Sequence, residues 1–160
     1  MSQTEITTQI ELSEIVDALS SPELKDRIEQ LDAIIIGGEQ VDCPIQHEFI
    51  DRMYIRERMI PMGTLFTTYT WKHEHPYFCN IGELMIFDVT TGEWTHFIAP
   101  CRGITKAGTK RIVYAITDVV WTTCHANHDN ITDVAEIEHI LLEKYSNRFI
   151  PLNKLKELQK

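Results

Sequence analysis

Several things are missing from this 160-residue sequence, and each absence narrows the field. No apolar run approaches the ~20 residues that cross a bilayer as a helix, so no membrane partner is expected. Basic residues are in the minority, 15 against 24 acidic, for a net charge of −9. That balance argues against a nonspecific nucleic-acid binder, which needs a basic surface. The start, MSQTEITTQIE, has neither a basic stretch nor an apolar one, so it does not read as a secretory signal. The four cysteines, Cys43, Cys79, Cys101 and Cys124, form no Cys-x-x-Cys pair, which removes a zinc ribbon or a thioredoxin motif. They are expected to stay reduced in a chain read as acting where it is made. There is no Gly-Lys-Ser/Thr phosphate loop and no Gly-x-Ser-x-Gly nucleophile elbow.

What is present is ordinary in bulk and uneven in place. Hydrophobic residues make up 43% and charged residues 24%, a globular balance for one domain with short appendages. Residues 1–42 carry ten acidic side chains against Lys25 and Arg27, while the remainder is close to neutral. Residues 1–41 therefore read as an acidic helical extension. Leu12, Ile15, Val16 and Leu19 share one face, and Leu24, Ile28 and Leu31 share another. Ser21-Pro22-Glu23 reads as a helix start. Helices this short need a surface to pack on. Two are open: the chain's own body, or another subunit.

Residues 42–127 are rich in β-branched and aromatic residues. Strands are predicted at 52–60, 64–71, 74–81, 83–89, 93–99, 110–116 and 118–125, with a hairpin at Thr91-Gly92. This pattern predicts a mainly β sandwich or barrel. Residues 128–160 read as a C-terminal helical segment. Thr132 or Asp133 caps a helix carrying Val134, Ile137, Ile140, Leu141 and Tyr145, and Leu152, Leu155 and Leu158 follow Pro151 beside Lys154, Lys156 and Lys160.

The sharpest chemical feature is His73-Glu74-His75. In a strand, residues two apart share a face, so both imidazoles would enter one interior and could bind a transition metal. His125, on the strand after Trp121, is the candidate third ligand. The order Gly63, His73-x-His75, Gly82, then Gly108-Thr-Lys-Arg111 resembles the cupin family. The segment from Gly108 to His125 is similar to cupin-like proteins of tailed bacteriophages. The likeness covers roughly residues 42–127. It implies a double-stranded β-helix, or jelly-roll, barrel with helices at both ends.

The departures from the family pattern matter. The family's Glu would fall at Cys79 or Asn80, and its last His at Arg111, whose guanidinium stays protonated and cannot ligate. Three readings stay open. One is a rearranged metal site of His73, His75 and His125, with or without Cys79, holding Zn, Fe, Mn or Ni. Another is an anion site in which Arg111 replaces the metal and holds the ligand with Tyr114 and the histidines, with Cys79 and Asn80 also among the ligand-binding residues and Lys110 nearby. The third is a filled core with no ligand. His47, His96, His128 and His139 read as surface residues, and Trp71, Trp94 and Trp121 as packing. Cys79 would need a nearby base to act as a nucleophile.

The functional expectation is a non-catalytic structural or accessory protein, phage-borne. It would act either free in the cytoplasm of an infected host cell or within the virion. Its expected partners are further copies of itself, other phage structural proteins met through the N-terminal helices, or both. A metal-dependent cupin enzyme and a small-anion binder are the alternatives.

Overall fold

The computed structural model describes residues 3–17, 23–89, 91–144 and 149–158. Two helices open the chain, α1 (Gln3–Asp17) and α2 (Leu24–Gly37). Ten strands follow: β1 (Ile45–Ile50), β2 (Met53–Ile60), β3 (Thr64–Thr67), β4 (Thr70–Trp71), β5 (His75–Ile81), β6 (Glu83–Asp88), β7 (Glu93–Ile98), β8 (Cys101–Thr105), β9 (Arg111–Ala115) and β10 (Val119–Ala126). The chain ends with α3 (Val134–Leu141), β11 (Leu142–Lys144), β12 (Phe149–Pro151) and α4 (Leu152–Leu158).

The strands form two five-stranded antiparallel sheets, β1-β2-β10-β5-β8 and β12-β3-β9-β6-β7, with β11 and β4 as a separate pair. This is the mainly β jelly-roll barrel expected from the sequence. Between the sheets lie Cys43, Ile60, Phe66, Cys79, Leu84, Ile86, Val113, Ala115 and Val119. The glycine before β6 is required where it stands. Gly82 has φ +94°, and a Cβ there would come within 2.1 Å of the Asp118 carbonyl oxygen. That combination excludes an L side chain on both conformational and steric grounds.

The N-terminal helices use their apolar faces within the chain. Leu12, Ile15 and Val16 of α1 and Ile28, Leu31 and Ile35 of α2 share a buried cluster with Leu65, Met85, Phe87 and Ile112, the outward-facing side of the second sheet. Asp32 clamps α2 down, accepting from Thr67 Oγ1 and pairing with Lys110 Nζ at 2.8 Å. The third helix begins as its sequence suggests, with Asp133 accepting from the Glu136 amide at 2.8 Å. Ser21 and Pro22, the expected start of α2, lie outside the described residues, as do Leu19, Tyr145 and Lys160; Glu23 occupies the cap position without a side-chain cap bond.

The strand expectations need four additions and one division. The run 64–71 breaks into β3 and β4. β1 and β8 were not predicted because each is a sheet edge mixing polar and apolar residues, including Gly103 and Arg102 in β8. β11 and β12 were not predicted because three residues carry no usable periodicity; pairing with β4 and β3 forms them. The barrel therefore does not end at residue 127, since β12 completes the second sheet from within the segment read as purely helical.

Leu31 is fully buried where α2 meets the sheet. Leu31→Ala should destabilise the fold by about 2–5 kcal/mol, read as a lower midpoint in urea denaturation with an unchanged slope. An unchanged midpoint would mean the helix does not pack on the barrel.

Candidate functional site

The site begins with an inversion in β2. The strand reads Met-Tyr-Ile-Arg-Glu-Arg-Met-Ile, and its alternation buries Tyr54, Arg56, Arg58 and Ile60 while Met53 and Met59 are exposed. Two guanidinium groups thus enter the barrel. Burying a charge is costly unless it is paired and hydrogen-bonded. Arg56 meets that demand: its Nη2 lies 2.9 Å from Glu138 Oε1, with both side chains under a tenth exposed. Its Nε donates to Tyr54 Oη at 3.1 Å, and its guanidinium lies over the rings of Tyr69 and Trp71 at 5.0 and 5.2 Å. Glu138 comes from α3, whose other inward residues, Ile137 and Leu141, pack with Tyr54, Tyr69 and Trp71 to close this end of the barrel.

Beside this closure is a cavity of about 90 Å³ between the sheets. Its walls include Phe66, Tyr69, Trp71 and Trp121, and its polar lining includes Arg56, Arg58, Arg111, His75, Thr105 and Thr123. No carboxylate lines it among the described residues. Arg111 enters from β9, donating from Nη1 to Thr105 Oγ1 at 3.1 Å, with its Nε 3.5 Å from Asp88 Oδ2. Burial and the neighbouring Arg56 charge push the Arg58 pKa below its usual range.

Two histidines meet at the closed end. The His125 ring stacks on Trp71 at 4.0 Å, and His75 lies 4.4 Å from His125 between centroids. His75 Nδ1 lies 3.3 Å from the His73 carbonyl oxygen and His125 Nε2 lies 2.9 Å from Thr123 Oγ1. Burial pushes the His75 pKa down to about 4, against the backbone bond, with Arg111 and Arg56 adding to the fall. Burial, then His75, then Arg56 push His125 down to about 2. Both imidazoles are therefore neutral near pH 7.

The expected site residues are dispersed. His73 does not share a face with His75, because residues 72–73 form a bend and the strand starts at His75; His73 is exposed. The three-histidine cluster of His73, His75 and His125 is thus not assembled. Tyr114 points the other way along β9, toward the cluster under the N-terminal helices. Asn80 is exposed on the outer face, donating to Thr122 Oγ1 at 2.8 Å. Cys79 faces inward but packs in the layer between the sheets, and burial pushes its thiol up to about 11. Lys110 is engaged by Asp32. His96, expected at the surface, is half-buried beside Glu83 at 3.1 Å, and His47 lies 2.7 Å from Tyr54 Oη. Arg56, Arg58 and Glu138 were missed. The one available signal was parity, since both arginines sit in step with Tyr54 and Ile60.

The donor set does not fit the transition metal that the resemblance implies. No group of three His, Cys, Asp or Glu side chains with metal-binding geometry occurs among the described residues. Two imidazoles remain, and three guanidinium cations surround the space an added cation would have to enter.

No family model matches the sequence, and no curated protein does. Solved structures are similar to it in fold. Ectoine synthase from P. lautus has a TM-score of 0.52 at 15% identity, covering 70% of this chain and 79% of that one. A conserved protein with a double-stranded β-helix domain from Klebsiella pneumoniae has 0.46 at 11%, covering 61% and 84%. An RmlC-like cupin family protein from Methanocaldococcus jannaschii has 0.45 at 12%, covering 54% and 82%. At these identities the likeness is one of fold alone.

Two outcomes are expected from this geometry. Glu138→Ala leaves Arg56 buried without its carboxylate and should cost about 3–5 kcal/mol. The double variant Arg56→Met, Glu138→Leu should recover most of that loss in the same denaturation experiment. The second concerns pH. Below the ordinary histidine value of 6.5 the unfolded chain takes up protons that folded His75 and His125 refuse until about pH 4 and about pH 2. The unfolded state then binds more protons, so the stabilisation is complete above pH 6.5 and declines on acidification toward pH 4. Differential scanning calorimetry should show Tm falling between pH 7 and pH 5, with a shallower fall in His125→Phe, which keeps a ring against Trp71.

Proposed function

We propose that the barrel is a binding site for a small organic anion, a carboxylate with an apolar body, in a non-catalytic accessory protein. The observation that carries this reading is the cavity lining: three guanidinium groups, no carboxylate among the described residues, and aromatic walls. Arginine forks suit carboxylates because two parallel N–H donors match the two oxygens. Phe66, Tyr69, Trp71 and Trp121 offer apolar surface to the remainder of such a molecule. The small volume favours a compact ligand.

The non-catalytic part rests on proton affinities. An acid–base catalyst works best with a pKa near the operating pH. His75 and His125, held at about 4 and about 2, are poor bases for neutral solution. Cys79, raised to about 11, holds almost no thiolate there. The phage-borne origin, the setting in an infected cell or a particle, and assembly with other copies or phage proteins belong to the same proposal. They are supported by the likeness of residues 108–125 to phage cupin-like proteins.

The test is isothermal titration calorimetry with a series of short aliphatic and aromatic carboxylates and inorganic phosphate. Saturable, salt-sensitive binding is expected for a carboxylate. Arg111→Ala should weaken it roughly 10-fold or more, the scale of a lost charge-assisted hydrogen bond of about 1.5–3 kcal/mol. The Arg111 variant is chosen because this side chain is only half-buried and its loss should leave the fold intact. Absence of binding by every anion in the series, or an unchanged affinity in Arg111→Ala, would remove the reading.

A further inference from the structure

Two thiols outside the cavity have a relationship of their own. β5 and β8 run antiparallel, and their register sets Cys79 directly opposite Cys101. Both side chains are on the inward side of their strands, Cys79 in phase with His75 and Tyr77, and Cys101 in phase with Thr105. Directly opposed residues of an antiparallel pair have Cα atoms about 4.5–5.5 Å apart. That interval lies inside the roughly 4.4–6.8 Å a disulfide spans. Cys101 adds to the rise in the Cys79 pKa that burial begins, and Cys79 Sγ donates to the Ile81 carbonyl at 3.6 Å.

Their accessibilities differ in a useful way. Cys79 is buried, whereas Cys101 is partly exposed on β8, which among the described residues ends its sheet beside β5. Cys101 is the more accessible residue of the pair. The other two cysteines lack this arrangement: Cys124 stands opposite Ile55, and Cys43 precedes the first strand.

We propose that Cys79 and Cys101 form a thiol–disulfide modification site, oxidised by a low-molecular-weight disulfide such as oxidised glutathione. The Cys101 thiolate attacks one sulfur of that disulfide, forming a mixed disulfide and releasing one small thiolate. The Cys79 thiolate then attacks Cys101 Sγ; the Cys79–Cys101 bond forms, the mixed bond breaks, and the second small thiolate leaves. Each leaving thiolate takes up a proton given by a protein thiol. The protein dithiol is oxidised and one small disulfide becomes two small thiols. Since burial raises the Cys79 pKa to about 11, the second step should quicken about tenfold per pH unit between pH 7 and 8. The bond would fasten the start of an edge strand whose far end holds Thr105 against Arg111. The proposal rests on strand register and does not depend on the anion reading.

The experiment uses the full chain, folded, incubated with oxidised glutathione, quenched in acid, then denatured, alkylated and digested with trypsin. Cleavage after Lys72 and Arg102 places both cysteines in one peptide, 73–102. Peptide mass spectrometry should show it short of two hydrogen atoms and free of alkyl groups, while Cys43 and Cys124 are alkylated. In Cys101→Ser, Cys79 should be fully alkylated. The proposal is overturned by a doubly alkylated 73–102 peptide, by glutathione persisting on Cys101 beside an alkylated Cys79, or by a bond from either residue to Cys43 or Cys124. It is also overturned if Cys79 stays protected in Cys101→Ser.

Discussion

The buried pairing of Arg56 with Glu138 is the interaction on which the rest of this structure turns. β2 offers two possible faces to the barrel, Met53, Ile55, Glu57 and Met59 or Tyr54, Arg56, Arg58 and Ile60, and a one-residue slip would exchange them. Hydrophobicity alone favours the first, with the methionines inside. The second is the one adopted, with Glu138 on α3 supplying the carboxylate and Tyr54, Tyr69 and Trp71 surrounding the guanidinium. Replacing such a pair by apolar residues is often neutral or stabilising, so its significance is the geometry it specifies and not the energy it adds. It sets the parity of β2, docks α3 on the barrel end and brings Arg58 into the cavity.

The remaining architecture follows from how each sheet treats its outer surface. The second sheet presents Leu65, Met85, Phe87 and Ile112 outward, and α1, α2 and α4 cover them. Among the described side chains of these helices, Glu14, Asp17, Asp26 and Glu29 are exposed, while Asp32 ties helix to sheet. The first sheet has no such cover among the described residues, and Met53, Met59, Ile81 and Ile104 are exposed there as a consequence of the β2 parity and its neighbours. One barrel thus carries a helix-covered face, an open face, and an interior that holds three guanidinium groups.

Much of the barrel was legible in the sequence because its strands are long enough to show a period and are separated by turn residues. The runs around 83–88, 93–98 and 119–126 became strands nearly where predicted, and Asp133 caps the third helix as its sequence suggests. The short edges and the three-residue strands were not legible, because pairing with distant segments is what holds them in place. The site was less legible than the fold. His75 and His125 do come together, yet His73 does not, since the spacing rule that joins it to His75 holds only inside a strand and the chain bends at 72–73. Tyr114 and Arg111 lie three apart in β9 and so must face opposite sides of the sheet.

By itself the sequence determined the class of fold, the apolar faces of the helices, the positions of most strands and the want of a membrane-spanning helix or a basic surface. These are properties of local period and composition, which need no knowledge of what packs against what. Tertiary structure alone decided which face of β2 turns inward, that Glu138 answers Arg56 across 82 positions, that Cys79 stands opposite Cys101, and that the cavity is lined by guanidinium groups in place of a cluster of metal donors. Each of these depends on register between segments far apart in the chain, and a shift of one residue would reverse it.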